Sequence, residues 1–107
     1  MSAFDDREKT LENKYFHDEE LKFRIISRRR KLLGLWAAEH MHLSDEDSLH
    51  YALEIVKFGV SDNTEGAVVK KILGDIKKAG IKMTEAEIRL MMEEAGVEAH
   101  RQMMPED

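Results

Sequence analysis

The chain has 107 residues, of which 42% are apolar and 36% charged, with six glycines, one proline and no cysteine. This length fits one modest core, and the composition favours helix over sheet. A chain without cysteine has neither a disulfide framework nor a thiolate metal site. We find no apolar signal-like start and no run long enough for a membrane span. We therefore predict an all-α cytoplasmic protein without direct membrane insertion.

The first eighteen residues lack the pattern of a half-buried helix. Phe4, Leu11 and Tyr15 stand at i, i+7 and i+11, which is a narrow apolar stripe on an otherwise polar segment. Such a segment buries little and is marginal as an isolated helix. We expect it to extend the first helix, to fray, or to fold in a groove that a partner offers.

The next stretch, from Asp18 to about Met41, has the period of an amphipathic helix. Its apolar stripe includes Leu33 and Trp36, and Glu20 stands four residues before Arg24, the favourable order for an ion pair. Gly34 lies inside this helix, where glycine costs about 1 kcal/mol relative to alanine. We expect it to allow the close approach of a neighbouring helix.

A second helix is predicted from about Asp45 to Phe58. Ser44 precedes it as an N-cap, and Leu49 and Leu53 are expected in its core-facing stripe. Gly59 is expected to end it in a left-handed conformation.

Two further helices complete the pattern. One runs from near Thr64 to Ala79 and ends at Gly80, and the other begins after a cap at Thr84. We predict a compact four-helix bundle over residues 19–107, preceded by a mobile, potentially helical N-terminal segment over residues 1–18.

A basic stretch, residues 22–31, stands out in a chain whose net charge is −5. Arg24, Arg28 and Lys31 share one side of a helix at i, i+4 and i+7. Three interpretations stay open: a solvated helix face, a site for a phosphate-bearing ligand or acidic protein surface, and a nucleic-acid contact. The acidic net charge argues against a protein that tracks phosphates in general.

Sites for catalysis or metal binding are not indicated. The sequence has no nucleophile elbow and no glycine-rich phosphate loop. His40 and His42 would point in different directions on a helix, so we predict no metal site. We expect a binding or regulatory protein rather than an enzyme.

Four segments carry a resemblance to a known family. They are FDDRE (4–8), FHDEEL (16–21), RRRKLLGLWAAE (28–39) and AGI (79–81). Together they resemble the zeta subunit family of alphaproteobacterial F-type ATP synthases, along nearly the whole chain. The resemblance implies a four-helix bundle that inhibits ATP hydrolysis and has no required cofactor. It also implies ADP or ATP as a regulatory ligand.

The resemblance further implies an inhibitory segment, roughly Ser2 to Phe16, that folds into the interface of the alpha and beta subunits beside the gamma subunit. Its contact residues would be Phe4, Asp5, Asp6, Arg7, Glu8, Lys9, Leu11, Tyr15 and Phe16. The candidates for nucleotide binding are Arg24, Arg28, Arg29 and Lys31 at the phosphates, and Trp36 as a stacking surface. We expect a monomer when free, peripheral to the inner membrane through the ATP synthase and without nucleic acid. The alternative is a regulator that binds nucleic acid or another protein through residues 22–31.

Overall fold

A computed structural model describes the backbone of residues 3–61 and 64–104, and the side chains of residues 19–59 and 64–104. These residues form four helices and no strand: α1 (Ala3–His40), α2 (Asp45–Ser61), α3 (Glu65–Lys78) and α4 (Glu85–Met103). Helix α1 packs against each of the other three. The predicted all-α four-helix fold is confirmed. The predicted boundary at residue 18 falls within α1 and stays a prediction.

Local hydrogen bonds begin the three later helices where the sequence predicts. The backbone N–H of Asp47 donates to Ser44 Oγ at 3.1 Å. Thr64 and Thr84 accept in the same way from the third residue that follows each of them, at 3.3 and 3.2 Å. These bonds satisfy donors that have no partner within the helix.

Two glycines were predicted to end helices, and the structure confirms this for only one of them. Gly80 follows α3 with φ of 79°, as predicted. The prediction for Gly59 was wrong, because α2 continues through it to Ser61. Gly59 instead leaves room for a side chain of α1, since a Cβ built there would lie 2.5 Å from Cδ and Cζ of Arg30.

The core lies between the facing sides of all four helices. Its fully buried members of largest volume are Leu33, Ile55, Val68, Val69, Ile72, Ile76 and Ile88. Gly34 allows the predicted close approach, since a Cβ built on it would lie 2.8 Å from the Cα of Ala52. This contact turns Ala52 and Ile55 toward α1. The prediction that Leu49 and Leu53 are core residues was therefore wrong, and each is 50% exposed.

Candidate ligand groove on helix α1

Three cations of α1 lie along one groove, as their spacing predicts. Arg24, Arg28 and Lys31 line it together with Phe23 and Ser27 of the same helix. The opposite wall is formed by Leu53 and Val56 of α2 and Met103 of α4. The groove has a volume of about 430 Å³, and we call it the basic groove. Three of the five predicted nucleotide-binding residues are thus brought together.

The basic groove combines positive charge with an apolar floor. Phe23 is 62% exposed, and the half-exposed Leu53 lines the same groove. Arginine binds phosphate through two parallel hydrogen bonds, and an exposed aromatic ring can stack on a planar base. Arg24 contacts Glu20 at 2.8 Å, so an anion would compete with this surface pair. The groove has the chemistry for a ligand with both phosphate and aromatic parts.

Phe23 was not among the residues predicted to bind a ligand. It lies one position before Arg24 and outside the apolar stripe that the periodicity assigns to the core. A large apolar residue outside that stripe is the sequence signal that could have identified Phe23 as a ligand-binding candidate. The predicted stacking residue, Trp36, does not line the groove.

Arg29 does not line the basic groove. Its side chain contacts α3 and α4 instead. Its guanidinium contacts the carboxylate of Glu65 at 2.7 Å, in the first turn of α3. A Cβ built at Gly96 of α4 would lie 3.2 Å from Arg29 Cδ. Arg29 therefore has a structural position between three helices, away from the three cations with which it was grouped.

Arg30 is buried, with 5% of its surface exposed, and lies against α2 at Gly59. Burial, together with the charge of Arg29, lowers its pKa, and the charge of Glu65 acts in the opposite direction. The four consecutive cations at positions 28–31 therefore have different surroundings. Of these four, only Arg28 and Lys31 line the basic groove.

Trp36 packs against the core and makes an edge contact with His40, with 4.7 Å between ring centroids. The indole is partly buried and lies outside the groove.

Among the side chains of residues 19–59 and 64–104 we find no group of three or more that could hold a metal ion. The described backbone, residues 3–61 and 64–104, contains no helix long and apolar enough to cross a membrane.

The predicted inhibitory residues all belong to the part of α1 before residue 17, and their side chains lie outside the described residues.

The family model described as ATPase inhibitor subunit zeta matches residues 1–102. The chain belongs to the ATPase inhibitor subunit zeta family. Comparison with curated proteins gives no significant match.

Membership of the zeta family confirms the resemblance found in the sequence. The chain is therefore an inhibitory, regulatory subunit that acts on an ATP synthase. The family match covers both the N-terminal part of α1 and the bundle that carries the basic groove.

Proposed function

We propose that this zeta-family chain inhibits ATP hydrolysis by inserting residues 2–16, as a helix, between the alpha and beta subunits beside the gamma subunit. The observation that carries this proposal is the family match together with the continuity of α1. One helix runs from Ala3, within the proposed inhibitory segment, to His40, within the packed bundle. The bundle therefore supplies a helix from which the segment extends.

Continuity of the helix matters for the free energy of insertion. An isolated helix must form a costly first turn before it can propagate. Residues 3–16 avoid that step because they continue a helix whose later residues Leu33 and Ala37 are fully buried in the bundle. Less of the binding free energy is then spent on ordering the segment.

The proposed contact surface follows from helical periodicity. Phe4, Leu11 and Tyr15 fall within a narrow arc of the helix and act as apolar anchors in the partner's groove. The other charged positions at 5–9, together with Phe16, complete the contact at its rim, where charges favour correct pairing more than affinity, whereas Asp6 falls on the opposite side of the helix from the anchors. Asn13 lies on the opposite side of the helix from Phe4.

The test is ATP hydrolysis by purified F-type ATPase from an alphaproteobacterium, titrated with the full chain and with a version lacking residues 2–16. We expect inhibition by the full chain alone. The double variant Phe4→Ala/Leu11→Ala should lose inhibition, and Asn13→Ala is the matched control that should keep it. Equal inhibition by the full and shortened chains would place the activity in the bundle and overturn the proposal.

The basic groove supports a second function, binding of ADP or ATP as a regulatory ligand. Arg24, Arg28 and Lys31 would contact the phosphates, and Phe23 would take the stacking role first assigned to Trp36. An NMR titration with ADP should shift the amides of residues 23–31. Unchanged amides in this stretch at saturating ADP would remove the nucleotide proposal without affecting the inhibitory one.

Location and partners follow from the inhibitory role. Bound to the ATP synthase, the chain would lie on the cytoplasmic face, peripheral to the inner membrane. No catalytic role and no required cofactor are proposed. A nucleic-acid contact through residues 22–31 is the weaker alternative, because Arg29 pairs with Glu65 and Arg30 is buried.

A further inference from the structure

Helix α4 and its C-cap residue, Met104, carry an apolar stripe on the side that faces away from the core. Leu90, Val97 and Met104 stand seven residues apart and are 57%, 70% and 40% exposed. Seven residues are close to two helical turns, so the three side chains lie nearly in line along one face. The buried residues of α4, Ile88, Met92, Ala95 and Ala99, lie on the opposite face. A spacing of seven corresponds to one of the two apolar positions of the heptad with which two helices pair.

Charges along this stripe are separated by sign. Glu93 and Glu94 lie before Val97, and His100 and Arg101 lie after it at the same distances in reverse order. Arg101 contacts Glu98 on its own helix, and its side chain is 70% exposed. A guanidinium has five N–H donors, so contact with one carboxylate leaves donors for another.

We infer that α4 pairs with α4 of a second copy of this chain, antiparallel and about a two-fold axis at Val97. This arrangement places Val97 opposite Val97 and Leu90 opposite Met104. It also brings Glu94 of each copy to Arg101 of the other on one edge of the contact, and Glu93 to His100 on the other edge. The same patch serves both copies, as a two-fold interface requires.

Charge complementarity selects a second copy, and an antiparallel one, as the occupant. A parallel pairing would bring Glu93 to Glu93 and Arg101 to Arg101, and like charges across a contact disfavour it. The antiparallel pairing removes both like-charge contacts and places Arg101 beside Glu94 of the other copy. Any other partner would need the same pattern of charges in reverse order around its own apolar stripe.

The pairing is expected to be weak. Only one stripe of three apolar side chains per copy is buried, whereas stable complexes bury about 800 Å² on each partner. The chain should therefore change from monomer to dimer as its concentration rises, which modifies the sequence-based expectation of a monomer. The pairing face excludes residues 2–16, so the inference does not depend on the proposed inhibitory mechanism.

The absence of cysteine from the sequence allows a direct test by disulfide cross-linking of the full chain. Val97→Cys places one thiol per copy at the two-fold axis, and it should cross-link rapidly at high concentration under mild oxidation. Leu53→Cys, at an exposed leucine of α2, is the matched control and should cross-link slowly. Equal rates for the two variants would overturn the inference.

The register has its own test. Leu90→Cys should not cross-link to itself, because the two copies of residue 90 would lie about 21 Å apart along the paired helices. A mixture of Leu90→Cys and Met104→Cys should form the mixed disulfide. Self-linking of Leu90→Cys at the rate of Val97→Cys would show a different register and overturn the proposed pairing.

Sedimentation equilibrium tests the charges. The wild-type mass should rise with concentration from that of one chain, 12.4 kDa, toward twice that value. Glu94→Arg and Arg101→Glu should each reduce association, and the double variant should restore it. Circular dichroism checks that every variant remains helical. A wild-type mass that stays at one chain, or a double variant no better than the single ones, would refute the pairing.

Discussion

The side chain of Arg30 in α1 crosses the backbone of α2 at Gly59. A Cβ at position 59 would lie 2.5 Å from Cδ and Cζ of this arginine, which is itself almost fully buried. Gly59 lies near the end of α2, where the helix dipole is negative and favours a cation. The glycine therefore serves the packing of a buried charge rather than the termination of the helix.

Replacing Gly59 by alanine should lower the free energy of unfolding by about 1–3 kcal/mol, because the buried guanidinium must move to make room. Urea unfolding measures the change. Gly74→Ala is the matched control, since nothing lies within 4 Å of a Cβ built at that helical position. The control should gain about 0.5–1 kcal/mol from helix propensity. Equal stability of the two variants would contradict this account of Gly59.

Gly34→Ala should destabilise the bundle more than Gly59→Ala. At Gly34 the obstacle is the Cα of Ala52, a backbone atom of another helix, which has to move with the rest of α2. Overpacking of this kind typically costs about 1–3 kcal/mol, and we expect the upper end of that range. The same urea experiment compares the two variants. A Gly34→Ala variant as stable as wild type would show that α1 and α2 are not in this close contact.

The hydroxyl of Tyr51 donates to Asp75 Oδ2 at 2.8 Å, which ties α2 to α3. Burial, and then the hydrogen bond to this carboxylate, raise the pKa of Tyr51 above its usual 10.0. Lys71 donates to the same oxygen at 3.0 Å. Burial by itself lowers the pKa of Lys71. The hydrogen bonds and negative charges of Asp75 and Glu54 outweigh burial, so the pKa is raised overall.

These shifts give a pH dependence of stability with a defined sign. A pKa raised on folding stabilises the protein fully below the unfolded value and less as pH rises above it. Tyr51→Phe should therefore cost about 1.5–3 kcal/mol at neutral pH, the value of a hydrogen bond to a charged group. The difference from wild type should shrink above pH 10. Thermal unfolding across this range checks it, and a constant difference would rule out the linkage.

Arg28 and Arg29 are neighbours in sequence with different expected roles. Arg28→Ala should weaken ADP binding by about tenfold or more, the effect of losing a hydrogen bond between charged groups, with little change in stability. Arg29→Ala should leave ADP affinity nearly unchanged. It should reduce stability by roughly 1 kcal/mol, because it removes a partly exposed ion pair to Glu65 and packing against Gly96. Calorimetric titration and urea unfolding of each variant separate the two roles, and equal losses of affinity would contradict them.

The helix starts and the end of α3 are determined by the sequence itself. Ser44, Thr64 and Thr84 cap helices through bonds to residues three positions away, and Gly80 adopts the left-handed conformation that glycine favours. Such interactions are local, so they can be predicted without knowledge of the other helices. The motifs of the zeta family are equally a property of the sequence.

Tertiary packing decided what the local pattern left open. The division of four consecutive cations among the basic groove, Glu65 and Gly59 depends on where α2, α3 and α4 lie around α1. The exposure of Leu53 and the helical conformation of Gly59 follow from the same helix contacts. Helical periodicity assigns a residue to one side of its own helix. Only the partner helix determines whether that side is buried, exposed or in contact with a ligand.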